Sequence, residues 1–218
     1  GNQFITVGDH STVMTSIDGT AWNIELAPTT LTNSVFLGIG GNTNMLVAAG
    51  NKGSLMVSHN TWTNVVTTSM DGEFITNKVN TLGVVWEAVD PKPTENDLQG
   101  VTAFGELWVA AGGKGTVVVT RDGKTWTKHQ SSTTGIISSL CTFENQLVAT
   151  GENGVILTSN DAIQWTPRNS GTKHWIYRVR ATDDQLIAVG QAGTILVSAN
   201  AFDWQKRSSG VTEWLNDI

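Results

Sequence analysis

One pattern recurs along this chain at a period near 40 residues, and a repeat of that length constrains the architecture before any single residue is considered. Four times a glycine is followed at the same spacing by a tryptophan: Gly8 to Trp22, Gly112 to Trp126, Gly151 to Trp165 and Gly190 to Trp204. A fifth copy begins at Gly50 and is interrupted before its tryptophan. The stretches ending at these glycines repeat as well, in Val35–Gly50, Asp97–Gly112, Ile136–Gly151 and Trp175–Gly190. The first copy lacks that half, because the sequence opens with GNQFITVG. Its missing part stands at the other end, where WLNDI (Trp214–Ile218) matches WIYRV (Trp175–Val179). The repeats are therefore expected to close into a ring, with residues 214–218 as the innermost strand beside residues 3–7.

Each repeat holds four short β patterns. Around Gly151 they are IISSLCT, NQLVATG, GVILTSN and QWTPR, rich in β-branched residues and separated by glycine, asparagine or aspartate. The step from Gly112 to Gly115, repeated at Gly151 to Gly154 and Gly190 to Gly193, suits a tight hairpin, since glycine reaches positive φ at little cost. Four antiparallel strands per unit of this length describe a propeller blade. Counting tryptophans (Trp22, Trp86, Trp126, Trp165, Trp204) gives five blades. The expected fold is an all-β, five-bladed β-propeller in a single domain over 1–218. Its blades are 214–218 plus 1–26, 35–90, 97–130, 136–168 and 175–207, with a hairpin inserted at 60–82.

The segments SIDGTAW (Ser16–Trp22), TRDGKTW (Thr120–Trp126) and SNDAIQW (Ser159–Trp165) resemble Asp-box repeats, also called bacterial neuraminidase repeats. The whole chain is similar in style to photosystem-assembly-factor propellers and to related secreted or phage-borne ones. The resemblance implies a propeller in which each box is a folded turn, its Asp or Asn side chain accepting backbone N–H bonds and its tryptophan anchoring the turn to the sheet. Asp18, Asn60, Asp122, Asp161 and Asn200 are accordingly expected to be structural turn residues. The boxes are one residue shorter than usual between aspartate and glycine, and Asn60 and Asn200 stand where aspartate is usual.

Chemistry is sparse. Net charge is -6 and the sequence pI near 5.1, which excludes a basic nucleic-acid footprint. The apolar runs are too short to span a membrane. Cys141 lies in a strand pattern and reads as a small core residue. The four histidines, His10, His59, His129 and His174, do not share metal-ligand spacing. GGKGT (Gly112–Thr116) lacks the spacing and following helix of a phosphate loop and recurs as a turn in the other repeats. No metal, cofactor or catalytic residue is expected. Sialidases also carry Asp-boxes, but their arginine triad and tyrosine–glutamate pair have little counterpart in a chain whose sole tyrosine is Tyr177. A sialidase-like glycoside hydrolase is the remotest reading.

Differences between repeats are more informative. Aligned innermost-strand positions read Leu37, Gln99, Ser138, Tyr177 and Asn216, then Gly38, Gly100, Ser139, Arg178 and Asp217. Both columns are expected to face a central channel, which makes Gln99, Tyr177, Arg178, Asn216 and Asp217 candidate ligand or channel residues, with Arg178 and Asp217 approaching each other. The second signal is the insertion, whose arms TWTNVVTT and EFITNKVNT flank SMDG and read as an extended hairpin. Trp62, Val66, Phe74 and Ile75 on it are candidate partner contacts. The expected function is a non-catalytic binding or assembly module, secreted, periplasmic or part of a virion or cell surface. Its partner is a protein or a larger assembly, with a glycan-binding lectin as the alternative. Protein is favoured because the between-blade loops LAPTTLTN, DPKPTEN, HQSSTTG, RNSGTKH and RSSGVTE differ from one another.

Overall fold

The computed structural model describes residues 3–218, with Val65 described by its backbone alone, so Gly1 and Asn2 of the first expected blade lie outside the described residues. The chain is all-β and antiparallel throughout. The first sheet has three strands, β1 (Phe4–Val7), β2 (Val13–Ser16) and β3 (Asn23–Glu25). The second is built from β4 (Phe36–Gly41), β5 (Met45–Gly50) and β6 (Leu55–His59). A separate hairpin follows, β7 (Trp62–Thr68) with β8 (Phe74–Asn80), before β9 (Glu87–Ala88) completes the second sheet. The third sheet holds β10 (Leu98–Phe104), β11 (Leu107–Gly112), β12 (Thr116–Thr120) and β13 (Thr127–Gln130). The fourth holds β14 (Ile137–Phe143), β15 (Gln146–Gly151), β16 (Ile156–Ser159) and β17 (Thr166–Arg168), and the fifth β18 (Ile176–Ala181), β19 (Leu186–Gly190), β20 (Ile195–Ser198) and β21 (Gln205–Arg207).

The turn joining the second and third strands of a sheet shows why its glycine stands there. Lys114 and Gly115 are both left-handed, with φ of 56° and 65°, the pairing of a type I′ turn that matches strand twist. A Cβ on Gly115 would lie 2.0 Å from the Thr133 carbonyl oxygen of the connection to the next sheet. Conformation and space thus both require glycine.

Valine, isoleucine and leucine alternate inward from each strand and fill the spaces between consecutive sheets. Four apolar clusters result. One joins the first and second sheets through Val13, Phe36, Met56 and Trp86. The others join the second to the third around Leu55 and Leu98, the third to the fourth around Ile137 and Leu157, and the fourth to the fifth around Ile156 and Leu186. Each box tryptophan packs on the cluster shared with the preceding sheet: Trp86, Trp126, Trp165 and Trp204 all do so. Trp22 of the first sheet has no such cluster among the described residues and stays 39% exposed.

The closing strand expected over 214–218 is not formed. Those residues have no strand pairing, and β1 pairs with β2 alone. Leu215 N–H does bond to the Gly190 carbonyl at 3.0 Å, the same link that Phe36 makes to Gly8 at 3.1 Å where the second sheet begins. The segment therefore starts in the position of a next innermost strand and then departs from it. The physical reason lies in the column after the bulge described below. Gly38, Gly100 and Ser139 let neighbouring innermost strands approach closely, whereas the fifth sheet and the C-terminal segment have the long or charged side chains of Arg178 and Asp217 there, which meet at 3.0 Å.

Candidate functional site

A β-bulge interrupts each complete innermost strand at the same place. The register slips between Phe36 and Gly38, Leu98 and Gly100, Ile137 and Ser139, and Ile176 and Arg178. Bulges turn a side chain out of the ladder. The four skipped residues, Leu37, Gln99, Ser138 and Tyr177, line one cavity of about 330 Å³ together with Asn216, Trp175 and Arg178. Four successive sheets and the C-terminal segment each contribute the same aligned position to this cavity, and each contributes a different side chain.

The second column behaves differently from its expectation. A Cβ on Gly38 would meet the Gln99 carbonyl at 1.9 Å, and one on Gly100 would meet Leu140 N at 2.9 Å. Ser139 Oγ accepts a 3.2 Å bond from Val179 N–H. This column faces the neighbouring innermost strand, not the channel, and Arg178 alone among its members also lines the cavity. Arg178 Nε lies 3.0 Å from Asp217 Oδ1, and Arg180 Nη2 lies 4.0 Å from the same oxygen. The first contact is ionic but off the N–H direction, so the buried Nε atom has no directed hydrogen bond. Asp217 thus sits beside the cavity as the partner of two arginines.

Trp214, expected as an apolar core residue of the closing strand, is 61% exposed, and with Trp175 it shares a column held by Val35, Asp97 and Ile136 in the other repeats. Tyr177 lies between them, with ring centroids 5.5 Å from Trp175 and 5.9 Å from Trp214. Trp175 Nε1 donates to Ser138 Oγ at 2.5 Å, which ties the aromatic row to the fourth sheet.

The box residues are turn acceptors. Asp122 Oδ1 accepts from Lys124 N–H at 2.8 Å and Thr125 N–H at 2.7 Å. These bonds, Thr125 first, pull its pKa down to about 2. Asp18 is lowered by the N–H groups of Ala21 and Thr20, and Asp161 chiefly by that of Gln164. Asn200 accepts the equivalent pair from Phe202 and Asp203, both at 2.9 Å. Asn60 departs from expectation. Its carbonyl accepts from Asn80 Nδ2 at 2.7 Å, and its amide donates to the Thr43 carbonyl at 2.6 Å. The second sheet's box is split by the hairpin. Gly83 N–H still bonds Ser58 Oγ at 2.7 Å and Trp86 Nε1 still bonds the Gly83 carbonyl at 2.8 Å. The carboxylate's place is taken by the Thr81 carbonyl, which accepts from Val84 and Val85 N–H.

Strands β7 and β8 pair only with each other. The register Val66 to Thr76 and Thr68 to Phe74 puts Trp62, Val66 and Phe74 on one face and Ile75 on the other, so the four expected contacts divide between two faces. Trp62 and Phe74 are 66% and 81% exposed. Cys141 is buried, and burial pushes its thiol pKa up to about 12, which leaves it inert as a nucleophile. Among the described residues no group of three or more His, Cys, Asp or Glu side chains is placed to hold a metal ion.

Four-stranded antiparallel sheets side by side, with their innermost strands gathered around one cavity, define a β-propeller. The chain belongs to the family described as the DUF6242 beta propeller domain, whose model matches residues 83–215. No curated protein matches it in sequence. Among solved structures it is similar to YCF48 bound to D1 peptide, with a TM-score of 0.64 and 19% identity, covering 95% of this chain and 64% of that one. It is also similar to YCF48 from Cyanidioschyzon merolae (TM-score 0.50, 16% identity, 98% and 83% covered). A third likeness is to virginiamycin B lyase from Staphylococcus aureus (TM-score 0.63, 14% identity, 94% and 68% covered). The chain thus spans less than two thirds of the first of these, and at such identities the likeness concerns the fold.

Proposed function

We propose that this chain is a five-bladed, non-catalytic propeller that binds a protein partner through the channel mouth and the β7–β8 hairpin. The observation that carries the reading is the cavity whose equivalent positions hold Leu37, Gln99, Ser138, Tyr177 and Asn216. A lining that differs at every repeat suits one asymmetric ligand, whereas a lectin with one sugar site per blade needs the same residues in each. The five residues also support five blades. In this reading the first blade is completed by Trp214–Ile218, held by the Leu215 bond and the Arg178–Asp217 pair rather than by a ladder. The Asp-box carboxylates are committed to backbone N–H groups, which speaks against their serving as a hydrolase pair. That a YCF48 structure holds a D1 peptide fits a propeller used for protein recognition.

The test is cross-linking capture from the source proteome read beside a glycan array. The wild-type chain is compared with one in which Thr61–Thr81 is replaced by a short Asp-Gly turn. A saturable protein partner that the folded, shortened variant loses supports the proposal. Glycan binding without a protein partner gives the lectin reading instead. Unfolding of the shortened variant would assign the hairpin to packing and overturn its role as a contact.

A further inference from the structure

We infer that Arg178 anchors a carboxylate-binding site at the channel mouth. An incoming carboxylate competes there with Asp217, and the row Trp175, Tyr177 and Trp214 walls the group attached to it. The inference rests on the binding-module reading, since it assigns a ligand chemistry to the same cavity.

Three observations converge. The first is that Arg178 stands in a column that is Gly38, Gly100 and Ser139 in the three preceding sheets and Asp217 in the C-terminal segment, so the small-residue packing of the repeat does not itself call for a guanidinium. The second is that its one contact is the 3.0 Å ion pair from Nε to Asp217 Oδ1, which is off the N–H direction. The side chain is only 28% exposed, Nε is buried without a directed partner, and no Arg178 donor makes a hydrogen bond among the described residues. Buried polar groups in folded proteins are nearly always bonded, so a poorly directed guanidinium contact calls for an explanation, and a better-aligned incoming acceptor supplies one. The third is charge. Arg178 is the one charged side chain lining the cavity, and it shares the single carboxylate of Asp217 with Arg180. Among Arg178, Arg180 and Asp217 the mouth thus carries one more cation than anion, although the chain as a whole is acidic.

The surroundings select the anion. A guanidinium fork matches a carboxylate in a bidentate pair. The remaining lining is Leu37, aromatic rings, and the neutral polar groups of Gln99, Ser138 and Asn216. That mixture suits an organic acid or a peptide end with an apolar neighbour better than a phosphate, which would call for further cationic or backbone donors. For Asp217 to yield, its pair with Arg178 must break but no strand ladder need open, because the segment is otherwise tied by the Leu215 bond and the Tyr177–Trp214 contact.

The probe is N-acetyl-phenylalanine, titrated into the full chain and followed by calorimetry and tryptophan fluorescence, with its C-terminal amide and sodium acetate as the other arms. The acid is expected to bind at least about tenfold more tightly than the amide, as loss of a charge-assisted pair predicts, and more tightly than acetate. Asp217→Asn should tighten the acid severalfold by removing the competitor. Arg178→Ser, which installs the residue found at Ser139, should abolish binding. Equal affinity for acid and amide, or no response to Asp217→Asn, overturns the site; acetate binding as tightly as the acid overturns the aromatic wall. If Arg178→Ser fails to fold, the Asp217→Asn arm decides alone. Failure of the acid beside intact capture of a protein partner rejects the carboxylate site and leaves the binding module standing. Acid binding without any partner does the reverse.

Discussion

Trp22 and Trp165 occupy the same place in two boxes, and their unequal burial makes a controlled comparison. Each indole N–H bonds the carbonyl three residues back, to Gly19 and to Ala162, both at 3.2 Å, so the hydrogen-bond contribution nearly cancels. Exposure is 39% for Trp22 and 7% for Trp165. About a third of a tryptophan surface of roughly 250 Å² is some 80 Å², which at about 25 cal/mol per Å² is about 2 kcal/mol. Trp165→Ala should cost about 3–5 kcal/mol as a large-to-small core change, and Trp22→Ala about 2 kcal/mol less. For a chain of this size the gap is a difference of about 4–8 °C in melting temperature. Urea and thermal unfolding of the two variants measure it. Equal losses would mean that Trp22 is covered in solution by the fifth sheet, and the reasoning from an uncovered first sheet would be refuted.

Two further outcomes follow from the turns. The carboxylates of Asp18, Asp122 and Asp161 have folded pKa values below the ordinary value of 3.8, that of Asp122 at about 2, so the stability they supply is present above the ordinary value and is lost as pH falls below it. Thermal melts should show a steep loss across that window, and the triple change to Asn, the residue already working at Asn200, should flatten it; an unchanged slope would sink the assignment. Gly115→Ala and Gly171→Ala separate conformation from space: both glycines have positive φ, but a Cβ would meet the Thr133 oxygen at 2.0 Å in the first and nothing within 4 Å in the second. Gly171→Ala should cost about 1–2 kcal/mol for the left-handed backbone and Gly115→Ala clearly more, and equal chemical-denaturation midpoints would contradict this.

What could be read in the sequence was what the repeat writes into side chains. The serine or threonine, the Asp or Asn, and the tryptophan of a box sit within one turn, so their roles followed from spacing, and the structure bonds Asp18, Asp122, Asp161 and Asn200 accordingly. Asn60 misled because the hairpin carries the second half of its turn away to Gly83, and the acceptor that replaces the carboxylate is the Thr81 backbone, which any residue could supply. The bulges were invisible for a similar reason. A bulge is a backbone event, and the skipped residues Leu37, Gln99, Ser138 and Tyr177 have no chemistry in common.

The C-terminal segment shows how a correct alignment can still misplace a strand. Matching Trp214–Ile218 to Trp175–Val179 located the segment, and Leu215 bonds Gly190 as the repeat requires. A ladder needs more than position. From the second sheet to the fifth, neighbouring innermost strands are brought together by small residues in one column, Gly38, Gly100 and Ser139, and the chain departs from that rule at Arg178 and Asp217. Arg178 therefore does two things. Its long side chain stands where the three preceding sheets keep a small residue, and it brings a cation to the edge of a cavity lined by the innermost strands of four sheets. A repeat built for symmetry acquires a single asymmetric site where one copy departs from the others.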